Sequence, residues 1–226
     1  MSFRAKAIYV VVTTLFLVAF AIPLLGLAQR SALHELVARV DKRLSSLESL
    51  SASFEQTREI SLTGQKLRAS GRLYLRKPRK ILLDYAKPEP QKLIVNDSVV
   101  MIYVPSLKQV QRFDMEESPD EQSLFLFWEA FSNVEKRFRI APGSPRDARF
   151  RYVELTPLEK ADAGGVKRLV IGIDTSLLLP RDIEIEESSG DVVRMRLSQI
   201  KTNPKLEDSL FELNLEKDVE LIDYSR

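Results

Sequence analysis

The chain has no cysteine in its 226 residues. That removes disulfide scaffolds, thiol nucleophiles, cysteine-based zinc sites and a cysteine for lipid attachment. It has a single histidine, His34, so neither a multi-histidine metal centre nor a two-histidine catalytic pair can be assembled. There is no G-x-x-x-x-G-K-[ST] phosphate loop and no G-x-G-x-x-G turn. A surplus of positive charge is also missing. Taking Arg4 and Lys6 from the 34 basic residues leaves 32, against 32 acidic ones, for residues 29–226. A general nucleic-acid binder carries a clear basic excess, and this chain is read as binding none.

What is present is apolar bulk. Hydrophobic residues make up 44% and charged residues 29%, the balance of one folded domain with its own core. No linker divides it, and it is expected to act as a monomer. At the N-terminus, basic Arg4 and Lys6 precede an apolar run from Ala7 to Leu25, and Gly26-Leu27-Ala28 has the small-x-small form of a cleavage site. Pro23 breaks the apolar helix just before it. The expectation is a signal peptide, residues 1–28, cut after Ala28, with a single domain over 29–226. An uncleaved anchor is the other reading, because the run approaches the ~20 residues that span a bilayer. Both place the remaining chain outside the cytoplasm.

Leu33, Leu36, Val37, Val40, Leu44 and Leu47 fall at helical spacing, so Ser31 to Glu48 is predicted as an amphipathic helix with Ser31 as N-cap. His34 is read as a partly exposed helix residue. From Ser51 the period changes to two. Gly71, Leu73 and Leu75 alternate with Arg72, Tyr74 and Arg76, and Ile81, Leu83 and Tyr85 alternate with Lys80, Leu82 and Asp84. Lys92 to Val95, Val99 to Val104 and Gln109 to Phe113 complete a meander of short strands. Ser118-Pro119-Asp120-Glu121 is a helix start. The segment after it, 123–133, carries Phe125, Phe127, Trp128 and Phe131 and is apolar around most of its circumference. It is expected either to plug an ordinary core or to cover a lipid-sized pocket. Strands are then expected at Glu135 to Ile140, Arg149 to Leu155, Arg168 to Ile173, Asp182 to Glu187 and Val193 to Ile200, with a tail at 210–213 and 219–222. The total is about eleven strands and two helices, a mainly β protein with flanking helices.

Two charged groups stand out. Glu184, Glu186 and Glu187 alternate with Ile183 and Ile185 and are read as the solvated outer face of a strand rather than as glycosidase carboxylates. Arg72, Arg76, Lys77, Arg79 and Lys80 cluster around Pro78. They form either a cationic rim at a cavity mouth or the charge and proline that protect an edge strand. No catalytic set remains, and no enzyme activity, metal or cofactor is expected.

An ordered set of motifs runs through the chain. It comprises Ala52-Ser53-Phe54-Glu55-Gln56, the run from Gly71 to Pro78, Tyr85 and Pro88 followed by Leu93-Ile94-Val95-Asn96-Asp97, and Met101 to Val110. The aromatic helix, Leu155-Thr156-Pro157 and the tail Asp208 to Leu213 follow in order. The set resembles the periplasmic outer-membrane lipoprotein carrier family, LolA, over residues 31–226. The resemblance implies a half-open antiparallel β-barrel of about eleven strands with an α-helical lid. It also implies a periplasmic carrier that takes acylated lipoproteins from an inner-membrane ABC-type releasing complex and hands them to an outer-membrane acceptor. The acyl chains would then lie against Leu73, Leu75, Ile81, Leu83, Tyr85, Met101, Tyr103, Leu124, Phe127, Trp128 and Phe131. The family's basic residue before the strand-stopping proline, which governs lid closure and transfer, corresponds to Lys77, with Arg76 beside it. Lys77 stands where the family carries arginine, Ile81 and Leu83 where it carries aromatics, and Ser98 where it commonly carries glycine. An exported lipid or glycolipid carrier and a lipoprotein receptor of the same fold are the alternatives. The lack of cysteine weighs against an anchored receptor. A lipoprotein-binding sensor is a further alternative, with no signalling domain in this sequence to support it.

Overall fold

The computed structural model describes residues 31–114, 134–159, 165–214 and 218–224. The expected signal peptide and the aromatic helix at 123–133 lie outside the described residues. Helix α1 occupies residues 31–45. Six strands follow: β1 Ser49–Glu59, β2 Lys66–Arg76, β3 Lys80–Lys87, β4 Gln91–Asn96, β5 Val99–Val104 and β6 Gln109–Asp114. A single helical turn, α2 Val134–Arg137, leads into β7 Phe138–Pro142, β8 Phe150–Pro157, β9 Val166–Asp174, β10 Leu179–Glu187, β11 Val192–Thr202 and the short β12 Glu220–Asp223.

All twelve strands belong to one sheet, in the order β12-β6-β5-β4-β3-β2-β1-β11-β10-β9-β8-β7. Two meanders, β1 to β6 and β7 to β11, are joined by the antiparallel pairing of β1 with β11. Only β12 runs parallel to its neighbour, β6. The expectation of about eleven strands is met by twelve among the described residues.

The sheet curls into a half-open barrel, and its irregularities show where. The β1–β11 register shifts between Ser51 and Ser53, opposite Gln199, whose φ is 50°. The β2–β3 register shifts between Ser70 and Gly71. Such bulges bend a strand and increase its twist. At Gly71 the bend brings the Asp84 carbonyl oxygen to 2.1 Å from where a Cβ would stand, so only glycine fits there. The strand expected from Glu135 starts later, at Phe138. Val134 and Phe138 are both buried and lie four residues apart, so residues 134–137 close a helical turn before the chain extends.

No helix among the described residues is long and apolar enough to cross a membrane.

Candidate functional site: the concave face

Register turns the alternation of each strand into continuous rows. Leu50, Leu75, Ile81, Val95, Val100 and Phe113 stand opposite one another in succession from β1 to β6. Ala52, Leu73, Leu83, Leu93 and Ile102 form the next row. Across the seam, Met195, Ile183, Ile171 and Val153 make one row, and Val193, Ile185, Leu169, Leu155 and Ile140 another. Directly opposed residues share a face, so one side of the sheet is apolar from β6 round to β7. Nearly all these side chains belong to a single hydrophobic cluster.

Helix α1 roofs this face. Its helical spacing puts Val37, Val40 and Leu44 on one stripe, and these, with Leu47, are buried in the same cluster. Both ends of the helix are tied by polar contacts. At the C-terminus, Lys77 Nζ donates to the carbonyl oxygens of Leu44 at 3.1 Å and Ser45 at 2.6 Å. The last carbonyls of a helix lack partners within it and carry partial negative charge, so an ammonium is well placed there. At the other end His34 Nδ1 lies 2.6 Å from Glu135 Oε1 of α2. Beside it a cleft of about 400 Å³ is lined by Leu33, His34, Arg139, Ile140, Ala141 and Pro142, at the small end of the range for ligand pockets.

Polarity enters this face toward the β1–β2 turn. Phe54 meets Tyr85 edge-to-face at 5.1 Å, across the position left open by Gly71. The Tyr85 hydroxyl donates to Gln56 Oε1 at 3.1 Å. Next along, Arg58 Nη2 lies 3.0 Å from Glu187 and 3.1 Å from Asp191.

Of the residues expected to line the cavity, Leu73, Leu75, Ile81 and Leu83 are brought together, all buried. Tyr85 is half-buried at the margin. Met101 is not among them. It packs on the convex face with Leu82, Ile94 and Phe211. Tyr103, two residues on along the strand, shares that side, opposite Lys92 and Val110. The cause is visible in β5 itself, Val-Val-Met-Ile-Tyr-Val, which is apolar on both faces. Only pairing with β4, where Ile102 meets Leu93, selects the inner set. Leu124, Phe127, Trp128 and Phe131 lie outside the described residues. Sequence reasoning missed Val100 and Ile102, and the whole β8–β11 half. The alternation of Ile183 and Ile185 was the available signal there.

The basic cluster around Pro78 divides. Lys77 turns to α1. Arg76 turns outward, donating to the Leu206 carbonyl at 2.6 Å and to Asp208, with its guanidinium 5.3 Å from the Phe211 ring centroid. Lys80 also binds Asp208. Arg76 therefore holds the C-terminal segment, not the roof. Edge protection is overturned as well, because β2 and β3 lie inside the sheet.

Glu184 and Glu186 of β10 point outward as expected, but the face is not solvated, and Glu187, expected beside them, turns to Arg58 on the other side after the register shift at Glu186. Glu184 is only 4% exposed. Arg146 reaches its carboxylate at 2.7 Å, Arg194 at 2.8 Å and Arg168 at 3.6 Å. Burial works against its charge, yet hydrogen bonds from Arg146 and Arg194 hold the carboxyl below the usual carboxylate range. Beside it, the buried Tyr152 hydroxyl donates to Asp182 Oδ2 at 2.7 Å. Burial first, and then this bond, pushes the phenol upward. Gly172 lies between them in the register, where a Cβ would come within 2.8 Å of the Tyr152 ring. These are structural ion pairs. No group of three His, Asp or Glu residues among the described residues is arranged to hold a metal.

A single sheet curled into a half-open barrel, apolar on its concave side and roofed by a helix, defines a class of hydrophobic-cavity proteins. The chain belongs to the LolA family, since the family model described as outer membrane lipoprotein carrier protein LolA matches residues 45–214. The outer-membrane lipoprotein carrier protein of Methylococcus capsulatus is 24% identical over 177 residues, covering 78% of this chain and 82% of the relative. That of Chromobacterium violaceum is 25% identical over 204 residues, covering 90% and 93%. Among solved structures, an uncharacterized conserved protein from Thermus thermophilus has a TM-score of 0.53 at 16% identity, covering 84% of this chain and 98% of that one, a likeness of fold. The family is one of carriers.

Proposed function

We propose that this protein is a periplasmic carrier that holds the acyl chains of lipoproteins against its concave face and moves them from the inner to the outer membrane. It would receive them from an ABC-type releasing complex and deliver them to an outer-membrane acceptor. Residues 1–28 would direct export and be removed after Ala28. No step of this requires catalysis.

The observation that carries the reading is the unbroken apolar face beneath a separable roof. Leu83 is only 1% exposed and shares one cluster with Val37, Val40 and Leu44 of α1, so acyl chains would reach the floor by displacing its cover. The interface they enter is apolar on both sides, and each methylene transferred from water contributes about 0.8 kcal/mol. The roof is held by its apolar stripe and by polar ties at its two ends, none of them a strand pairing. Lys77 is the tie at the C-terminal end, which gives it the control role that the family places before the proline. The cavity set is then Leu73, Leu75, Ile81 and Leu83, with Tyr85 at the mouth.

The test is photo-crosslinking in cells from a reactive group placed at Leu83 or Tyr85, followed by identification of what is captured. Acylated lipoproteins are the expected product. Recovery of none, under conditions where a known carrier captures its cargo, removes the proposal. Recovery of free phospholipid or glycolipid alone replaces the cargo.

A further inference from the structure

We infer that the β1–β2 hairpin is a membrane-contact finger that seats Leu62 in the interfacial zone of a lipid bilayer. The inference goes beyond the carrier reading and needs no cargo to be examined. β1 and β2 stay paired as far as Glu59 and Lys66, whereas the last β2–β3 pair is Ser70 with Lys87. At a rise of about 3.3 Å per residue, β2 runs on for about 13 Å without β3 beside it, while on the other side β1 stays paired with β11 as far as Glu59 and Val192. Every residue from 61 to 68 is exposed. Leu62, in the turn, is 92% exposed, the highest value among the exposed large hydrophobic residues described, and Leu67 below it is 46% exposed.

The finger is held upright. Arg58 binds Glu187 and Asp191, the Ser61 amide donates to Asp191 Oδ1 at 3.0 Å, and the Ser61 hydroxyl donates to the Ser189 carbonyl at 3.0 Å. A buttressed turn that presents a bare leucine is a fixed feature of the surface.

Its chemistry selects a bilayer. Residues 60–65, Ile-Ser-Leu-Thr-Gly-Gln, carry no charge. The Ile60 amide donates to the Gln65 carbonyl at 2.9 Å and the Gly64 amide to the Ile60 carbonyl at 2.8 Å. Backbone groups already bonded within the turn cost little to withdraw from water. Arg68 follows on β2 beside Lys66, whose ammonium lies 3.4 Å from Glu59, at the depth where phosphate groups lie and where long basic side chains are favoured. A protein partner fits less well, because a stable interface takes about 800 Å² from each side and this turn offers one large apolar side chain. The β5–β6 turn is on the same end of the antiparallel sheet, and its Leu107 is 67% exposed, a second point of contact.

The absence of cysteine makes the test direct. A single Leu62→Cys substitution carries an environment-sensitive nitrobenzoxadiazole label, and Leu177→Cys, in the turn at the other end of the sheet, is the control. Protein purified after export is mixed with phosphatidylethanolamine–phosphatidylglycerol vesicles. The expected result is a several-fold rise and blue shift in emission at position 62 and none at 177. No change at 62, or equal changes at both positions, overturns the inference. Leu62→Ser must also lower co-flotation with the vesicles while leaving thermal stability unchanged, and undiminished flotation overturns it equally.

Discussion

The two faces of this sheet use the same alternation and reach opposite solutions. The concave face is apolar from β6 to β7 and is covered by a helix held mainly through its side chains. The convex face is covered too, but in two different ways. Over β3 to β5, Leu82, Ile94 and Met101 lie beneath Phe211 of the C-terminal segment, which Arg76 and Lys80 pin through Asp208. Over β8 to β11, Glu184 and Asp182 are buried among arginines. Alternation reports which side a residue faces and not whether that side is wet. Coverage of the convex face is fixed by short polar contacts and specific packing, whereas coverage of the concave face is mainly an apolar contact, which the proposed carrier role would have acyl chains replace.

If that contrast is right, damage to the convex face lowers stability and damage to the roof changes access. The largest effect is expected for Phe211→Ala. The ring is fully buried, and emptying its site costs about 3–5 kcal/mol, read as a shift in the denaturation midpoint. Glu184→Ala comes next. Removing one partner of a buried ion pair costs about 3–5 kcal/mol, and because its arginines keep part of their surface in water we expect about 2 kcal/mol. Acid tests the same cluster. The Glu184 carboxyl lies below its ordinary value of 4.5 in the fold, so its contribution is complete above the unfolded value and drains as pH falls through the folded one. The melting temperature should hold near neutrality and fall below about pH 4.5. In Glu184→Gln that fall should be shallower. Smallest in stability is Lys77→Met, at about 1 kcal/mol. It should nevertheless speed amide hydrogen exchange in α1 while exchange in β1 and β11 stays unchanged. Equal acceleration everywhere would erase the distinction between roof and frame.

Much of this was legible in the sequence, for stated reasons. β2 and residues 182–186 of β10 alternate cleanly because their two faces are packed under covers of different polarity, and α1 shows its apolar stripe. The face of β5 was not legible, since both its sides are apolar and register with β4 decides. The burial of Glu184 was invisible because Arg146, Arg168 and Arg194 come from a loop and two other strands. The residues 208–211 close a 3-10 turn where an apolar tail suggested a strand. β12 pairs with β6 more than a hundred residues away, beyond the reach of any local pattern. Lys77 was found as a position, but its contact with the end of α1 needed the fold.

The most direct measurement compares neighbours on one strand. Ile102 faces the concave cluster, and Met101 faces Ile94 and Phe211 on the other side. With the same photo-reactive group placed at each in turn, acylated lipoprotein should be captured from position 102 and not from 101. Capture at both positions, or at 101 alone, would contradict the assignment of the concave face as the cargo site.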